Sequence, residues 1–247
     1  MALHVYGVVA ASTPLPDGLR GRQQARLQEV VHGDLAAVVS EIDAAARVRR
    51  GDLLAHAHVL EILVEGATVL PMRFGTIVEN DEEVAYNILA AGETGLTSLL
   101  ESLDGFVQLT VKAFHQEHEA LKDLLRQRPE LRSLRDQAAS GPASYQSQVQ
   151  LGEAVAVALD ELASADAAML NEELSGLAER IVLQEVSGRN QVLDAALLVK
   201  RAARTRTDEG IARLSQTLPD RLRLRYIGPQ PPYSFVDTEL AGEPVWA

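Results

Sequence analysis

The sequence predicts an α+β protein of two domains, a small N-terminal α/β sheet domain and a C-terminal ferredoxin-like domain with long helices. Strand patterns occur near both ends of the 247-residue chain, and long segments of helical periodicity lie between them. In the second half these patterns alternate in a split β-α-β order. We place the domains at 1–104 and 105–227, followed by a tail at 228–247 that is rich in proline and aromatic residues.

The N-terminal half begins with strand patterns. Residues 3–9, LHVYGVV, are rich in β-branched and aromatic residues and end at the turn-forming STPLPDG. Two apolar runs within 28–42 are separated by HGD, which predicts a hairpin. Apolar residues recur at helical spacing over 52–65, so we predict a helix there with Asp52 as its N-cap.

The segment VLPMRFGTIV, residues 69–78, places one arginine inside an apolar run. Its alternation predicts a strand with Phe74 on one face and Arg73 on the other, beside Pro71 and Gly75. Proline cannot donate a hydrogen bond to a neighbouring strand, which indicates a sheet edge or a bulge. Three roles are compatible with Arg73: catalysis, binding of a ligand or partner, or support of the backbone.

Helix patterns dominate the middle of the chain. We predict a helix over 81–103 that breaks at its two glycines, then a strand at 105–114, then helices over 115–180 interrupted at Pro129 and at 140–144. Two apolar stripes in these helices predict packing on other helices or on a sheet. They consist of Val149, Gly152, Ala156 and Leu159, and of Leu170, Leu174 and Leu177.

The remaining segments complete the second half. We predict a strand at 180–187, a long helix at 191–218 and a strand at 221–227. The inward face of the predicted helix holds Val192, Ala195, Ala196, Val199 and Ala203. The last strand alternates strictly. Its predicted faces hold Leu222, Leu224 and Tyr226 toward a core and Arg221, Arg223 and Arg225 away from it.

Composition excludes several kinds of chemistry. Without cysteine the chain has no disulfide, thiolate nucleophile or cysteine-ligated metal. A net charge of −12 argues against nucleic-acid or lipid-membrane partners. The chain has no glycine-rich phosphate loop and no GxSxG elbow. We therefore expect no enzyme activity and no cofactor, and the absence of an export signal or long apolar segment predicts a cytoplasmic protein.

Two sets of charged residues remain as candidate sites. His115 and His118, with Glu119, have a spacing that suits a divalent ion, but a third ligand in register is missing and we expect no metal. The arginines of 221–227 suit either an acidic partner or anion, or an internal salt-bridged face. An aromatic content of 4% argues against RNA.

The segment YIGPQPPYSFVD, residues 226–237, combines three prolines with aromatic side chains. Proline restricts the backbone, so this segment can be well defined without regular structure. We expect Tyr233 and Phe235 to pack on a domain or to contact a partner, and the structural role is favoured.

Two of these segments together resemble a known family. VLPMRFGTIV and GPQPPYSFV are similar to the hallmark segments of the gas vesicle protein F/L family, and HVYGVV, VHGDLAAVVSEI and SYQSQVQLG occur in matching order. Gln230 stands where members often carry tryptophan, and Gln108 where glutamate is common. The choice between F and L stays open.

The resemblance implies a non-enzymatic role in forming gas vesicles, the gas-filled protein shells that give aquatic prokaryotes buoyancy. Family members are accessory or minor structural proteins thought to bind the hydrophobic shell protein and other accessory proteins, and their C-terminal domain has a modified ferredoxin fold. Arg73 then becomes a structural or partner-binding cation, with Phe74 as an anchor. The alternative is a ligand-binding or regulatory ferredoxin-like module, with an anion site at Arg73 or at Arg221, Arg223 and Arg225.

Overall fold

The computed structural model describes residues 2–139, 145–188 and 190–236. It contains two antiparallel sheets and helices, so the predicted α+β class is confirmed. Contacts divide the described chain into two compact units. The first contains residues 2–109, 198–204 and 227–236, and the second contains 110–197 and 205–226. The contiguous domain boundaries at 104 and 227 stay a prediction.

The first sheet lies in the first unit and has five strands in the order β2-β3-β1-β4, with β5 also paired to β1. The predicted first strand and hairpin are confirmed, and Gly33 in the hairpin turn has a φ of +56°. The strands are β1 Ala2–Ala10, β2 Leu27–His32, β3 Leu35–Ile42, β4 Leu70–Pro71 and β5 Ile77–Val78.

Helix α1, Arg50–Gly66, packs on this sheet through Val59, Leu60 and Leu63, which are buried in one cluster with strand residues. The prediction that Asp52 is its N-cap is wrong. Asp52 is the third helical residue, and its carboxylate accepts a hydrogen bond at 2.8 Å from the N–H of Arg49, which precedes the helix.

A second helical run follows the turn after β5. It consists of α2, Asp81–Glu83, a π-helical stretch at Val84–Ala90, and α3, Ala91–Ser102. The break predicted at the two glycines of this run is wrong, because α3 continues through both. Each glycine costs about 1 kcal/mol of helix propensity, and burial of Leu96 and Leu99 in α3 offsets that cost.

The second sheet has the strand order β7-β8-β6-β9. Along the chain its elements alternate as strand, helices, strand, strand, helix, strand, which is the ferredoxin-like order with the first and third strands in the centre. The strands are β6 Phe106–His115, β7 Arg180–Leu183, β8 Gln191–Lys200 and β9 Leu222–Gln230. The helices are α4 Glu117–Gln127, α5 Pro129–Ala139, α6 Tyr145–Ser175 and α7 Arg204–Thr217, with α8 Tyr233–Val236 after β9.

The long helix predicted at 191–218 is wrong in its first ten residues, which form β8. Nine of these ten residues are buried, so both faces of the strand are covered and the alternation that identifies a half-exposed strand is lost. Periodicity cannot separate such a strand from a buried helix. Four of the five residues assigned to an inward helical face belong to this strand. The fifth, Ala203, lies in the short 3-10 helix Arg201–Ala203, and α7 begins only at Arg204.

The two apolar stripes predicted in the middle helices have different environments. Leu170 and Leu174 are buried, as packing on other elements requires. In the other stripe, Gly152 and Ala156 are exposed and Val149 retains 39% of its accessible surface. Leu159 of the same stripe packs against the buried cluster of Leu124, Leu131 and Ala158. The prediction that both stripes pack within the fold is therefore confirmed for Leu159 and wrong for the other three residues of the first stripe.

Candidate functional site

The segment at 69–78 is not the continuous strand that its alternation predicts. Its ends pair with β1 as β4 and β5, but the five residues 72–76 lie opposite only Val5 and Tyr6 of β1. The extra residues form a turn that bulges from the sheet. Pro71 belongs to β4 at the end of the strand order, so the prediction of an edge position for this proline is confirmed.

This turn carries the predicted site residues Arg73 and Phe74. The Thr76 N–H and hydroxyl donate hydrogen bonds to the Arg73 carbonyl at 3.1 and 2.8 Å. Gly75 has a φ of +98°, a left-handed conformation that suits glycine at the third position of the turn. Arg73 is exposed and Phe74 is half-buried, so the turn presents a cation beside a partly accessible ring.

Buried histidines hold the backbone of the segment in place. The Met72 N–H donates to the Tyr6 carbonyl at 2.8 Å, and the Met72 carbonyl lies 3.2 Å from His56 Nε2. Because a carbonyl only accepts, His56 Nε2 carries the proton and its Nδ1 accepts from His4 Nε2 at 2.9 Å. His4 Nδ1 is buried without a hydrogen-bond partner among the described residues.

These histidines are neutral at physiological pH. Burial, followed by the charges of His56 and Arg22, lowers the pKa of His4 to about 3. Burial lowers the pKa of His56 to about 4, although its hydrogen bond to Met72 acts in the opposite direction. The relay from His4 to His56 to the Met72 carbonyl therefore consists of neutral imidazoles.

A buried arginine completes this cluster, and the sequence carried no signal for it. The Arg22 guanidinium carbon lies 5.6 Å from the centre of the Phe74 ring, within the range of a cation–π contact. The same ring stands 5.6 Å from the rings of both His4 and His56. Arg22 is 1% exposed, and its Nε lies 3.7 Å from an Asp52 carboxylate oxygen. Phe74 thus anchors the turn over a buried polar cluster.

The segment after β9 packs within the first unit. Phe235 is buried, and Tyr233 packs on the cluster that contains Tyr6. The Ser234 N–H donates a hydrogen bond at 2.9 Å to the side-chain oxygen of Gln108. Burial, together with the charge of Glu61, raises the pKa of Tyr233 to about 12. These positions suit the structural role favoured from the sequence, which stays a prediction.

In the second unit, Arg221 lies immediately before β9 and is bound by carboxylates. Its Nε and Nη2 donate to the two oxygens of Asp166 at 2.9 and 2.7 Å, and its Nη1 donates to Asp123 at 3.0 Å. His115 Nε2 stands 2.9 Å from Asp166. The side chain of Asp166 is only 4% exposed, so a single buried carboxylate joins two basic residues.

The charges in this cluster stabilise one another. Burial alone would raise the pKa of Asp166, but hydrogen bonds from His115 and Arg221 and the guanidinium charge bring that pKa below its usual value. The hydrogen bond to Asp166 raises the pKa of Arg221 against the opposing effect of burial, and Asp123 adds to the increase. Asp166 and Arg221 therefore form a charged pair.

The three arginines of the last predicted strand have different surroundings. Arg221 forms the internal ion pairs, whereas Arg223 and Arg225 are exposed. The prediction that Tyr226 faces a core is wrong, because this residue is 36% exposed and its hydroxyl bonds the Asp208 carboxylate. The arginines do not form a row of equivalent cations.

His115 and His118 also differ. His115 is buried against Asp166, while His118 is exposed on α4. Within residues 2–139, 145–188 and 190–236, no group of three histidine or carboxylate side chains is arranged to hold a metal ion. In the same part of the chain, every helix is too short or too polar to cross a membrane.

The two antiparallel sheets and their helices form an α+β fold that is also found in solved gas vesicle proteins. The GvpF crystal structure from Microcystis aeruginosa has a TM-score of 0.77 at 22% identity, and that from Anabaena sp. PCC7120 has 0.80 at 23%. Each comparison covers 95% of this chain and 98% of the solved one. These structures share its fold.

The chain belongs to the family described as "Gas vesicle synthesis protein GvpL/GvpF", which matches residues 2–237. It is 36% identical to gas vesicle protein F of Streptomyces sp. (strain CB03234) over 96% of this chain and 100% of that protein. Gas vesicle protein F of Dolichospermum flosaquae is 24% identical over 96% and 98%. The protein therefore has a gas vesicle–related role, and its family is not a known enzyme family.

Proposed function

We propose that this protein is an accessory or minor structural protein of gas vesicle formation. It binds the hydrophobic shell protein and other gas vesicle proteins, in the cytoplasm and without catalysing a reaction. The observation that carries the proposal is the family match over residues 2–237, together with a relative named gas vesicle protein F that aligns over its whole length.

The physical problem in vesicle assembly supports this role. A shell subunit that lines a gas space must expose apolar residues before it is assembled, and such a surface promotes aggregation. A folded protein with a net charge of −12 resists association with its own copies, and it is suited to bind that subunit until the subunit is incorporated.

The exposed turn is the part of the first unit that we propose to contact a partner. Arg73 offers a guanidinium for a carboxylate or a backbone carbonyl, and Phe74 holds the turn in one conformation. The alternative function as an anion-binding module has less support. Arg221 is already neutralised by Asp166 and Asp123, so this arginine is poorly placed to bind a further anion.

A pull-down from cells that co-express the shell protein and the other gas vesicle proteins tests the proposal. We expect the shell protein to co-purify with the wild-type chain. Arg73→Ala should reduce the captured amount several-fold, and Arg73→Lys should restore little, because lysine lacks the bidentate geometry. Arg47→Ala, which removes another exposed arginine of the first unit, is the matched control and should capture normally.

Two results would count against this account. Failure of the wild-type chain to capture any gas vesicle protein would overturn the proposed function. If Arg73→Lys captured as much shell protein as the wild type, Arg73 would contribute only its positive charge. A thermal-shift screen with inorganic phosphate and nucleotides distinguishes the alternative, since a ligand that binds only the folded state raises the melting temperature.

A further inference from the structure

A groove of about 410 Å³ runs along α6 in the second unit. Its α6 side is lined by small and aliphatic residues at helical spacing, and its other side comes from the start of α4 and the facing ends of β6 and β8. The small and aliphatic residues on this side are Gly152, Val155, Ala156, Leu159 and Ala163. Three of them belong to the apolar stripe that the sequence predicted to be buried.

The dimensions of this groove suit a helix. Residues 152–163 extend about 16 Å along α6, which corresponds to three helical turns. Gly152 and Ala156 are exposed, and a methyl group added at Gly152 would meet no atom within 4 Å. Small residues allow the axes of two helices to approach closely. An apolar stripe on a partner helix could therefore pack along this floor.

Charge determines which helix would fit. The 31 residues of α6 include six carboxylates and no lysine or arginine. Asp166 is paired with Arg221 and Glu161 with Arg128, but Asp160 and Glu117 line the groove as exposed acids. Among the described lining residues there is no lysine or arginine. The groove thus has an apolar floor and an acidic rim.

We propose that this groove binds an amphipathic helix of a partner protein, whose apolar stripe is flanked by lysine or arginine. Burial of the stripe supplies affinity, and ion pairs with the rim at Glu117 and Asp160 select basic over acidic helices. The inference rests on the proposed function and extends it, because it names the surface and the chemistry by which a gas vesicle protein would be recognised.

Two synthetic 18-residue helical peptides test this selectivity with the full chain. Both carry the same leucine and alanine stripe, flanked by lysine in one and by glutamate in the other. Fluorescence anisotropy should give the lysine peptide a dissociation constant about tenfold lower. Hydrogen exchange should slow along 152–163 when it binds.

Three variants separate the groove from the general negative charge of the protein. Glu117→Lys combined with Asp160→Lys should abolish or reverse the peptide preference. Ala156→Glu should weaken lysine-peptide binding about tenfold although it adds an attractive charge, because it blocks the floor. Glu172→Lys combined with Glu173→Lys makes the same charge change on exposed residues of α6 outside the groove. This control should weaken binding of the lysine peptide by less than about threefold.

Equal affinity for the two peptides, absence of binding, or equal losses in the rim and control variants would overturn the inference. The pull-down distinguishes failure of the groove proposal from failure of the proposed function. Capture of gas vesicle proteins that survives the rim and floor substitutions would reject the groove alone. A wild-type chain that captures none of them would reject the proposed function, whatever the peptides do.

Discussion

The two units each bury ionisable side chains, but the histidine pair of the first unit and the Asp166–Arg221 pair of the second reach different charge states. In the first unit His4 and His56 are neutral, because burial lowers both pKa values and the Arg22 charge lowers that of His4 further. In the second unit Asp166 and Arg221 stay charged, because each compensates the other through two hydrogen bonds. Burial alone therefore does not determine whether a side chain is charged, because hydrogen bonds to a counter-charge keep Asp166 ionised where burial alone would raise its pKa.

The two clusters also hold different parts of the fold in place. The histidine relay ends on the backbone carbonyl of Met72 and holds the turn that carries Arg73. The Asp166 cluster connects the residue before β9 to α4 and α6 within the second unit. We expect acid to lower the unfolding free energy through the first cluster, and the loss of one charged partner to lower it through the second.

The largest loss of unfolding free energy is expected for Asp166→Asn. This change leaves Arg221 largely buried without its main counter-charge and places an amide donor opposite its donors. Breaking such a pair costs about 3 to 5 kcal/mol of unfolding free energy. Urea denaturation followed by circular dichroism measures the loss.

Glu161→Gln is the matched control for Asp166→Asn, since it removes a carboxylate of the same helix that pairs with Arg128 at 2.6 Å while 57% exposed. We expect a cost below about 1 kcal/mol. Similar losses of unfolding free energy for Asp166→Asn and Glu161→Gln would contradict the view that burial makes the Asp166 pair matter more for stability than an exposed pair.

A smaller effect is expected for His56→Leu. Leucine fills most of the imidazole volume but leaves the Met72 carbonyl and His4 Nε2 without their partner. Leaving buried polar groups unpaired costs about 1 to 3 kcal/mol. Hydrogen exchange over 72–78 should become faster. The control His58→Leu, at an exposed position of the same helix, should change neither the unfolding free energy nor this exchange rate.

The acid sensitivity of the first cluster should appear as a gradual change of the unfolding free energy with pH. Histidines with an unfolded pKa of about 6.5 and folded values of about 3 and 4 favour folding above pH 6.5. This contribution is lost as the pH falls from 6.5 toward 4, because the unfolded chain then binds more protons. Each histidine adds a slope of about 1.4 kcal/mol per pH unit near pH 5.

Unfolding free energies of the wild type and His56→Gln between pH 7 and 4.5 isolate this slope. Glutamine can still donate to Met72 and accept from His4, so the fold is retained while one titrating group is lost. The slope should decrease by about 1.4 kcal/mol per pH unit. An unchanged slope would mean that His56 takes up its proton over the same pH range in the folded and the unfolded protein, and would contradict the neutral relay.

The sequence predicted elements with clear local signals. The first strand, the hairpin and the two helices that meet at Pro129 have strong turn residues or sustained periodicity, and all are present. The interruption predicted at 140–144 lies outside the described residues. Strand β8 was missed because burial of both faces removes its alternation, and its alanine and leucine content suits a helix equally well. Pairing with distant strands decided its conformation.

The candidate site was predictable only in part. The unusual order of Pro71, Arg73 and Gly75 pointed to an irregular edge segment, and the structure has one. The partners of Phe74 were not predictable, since Arg22 and His4 lie far from it in sequence and no spacing rule connects them. The pairing of Arg221 with Asp166 was hidden for the same reason, because the two residues are 55 positions apart.

Deletion of the gene for this chain in its own host tests the central claim most directly, with electron microscopy of gas vesicles before and after the gene is restored on a plasmid. We predict that vesicles are absent or malformed in the deletion strain and that the wild-type gene restores them. Vesicles of normal number and shape in the deletion strain would contradict the assembly role.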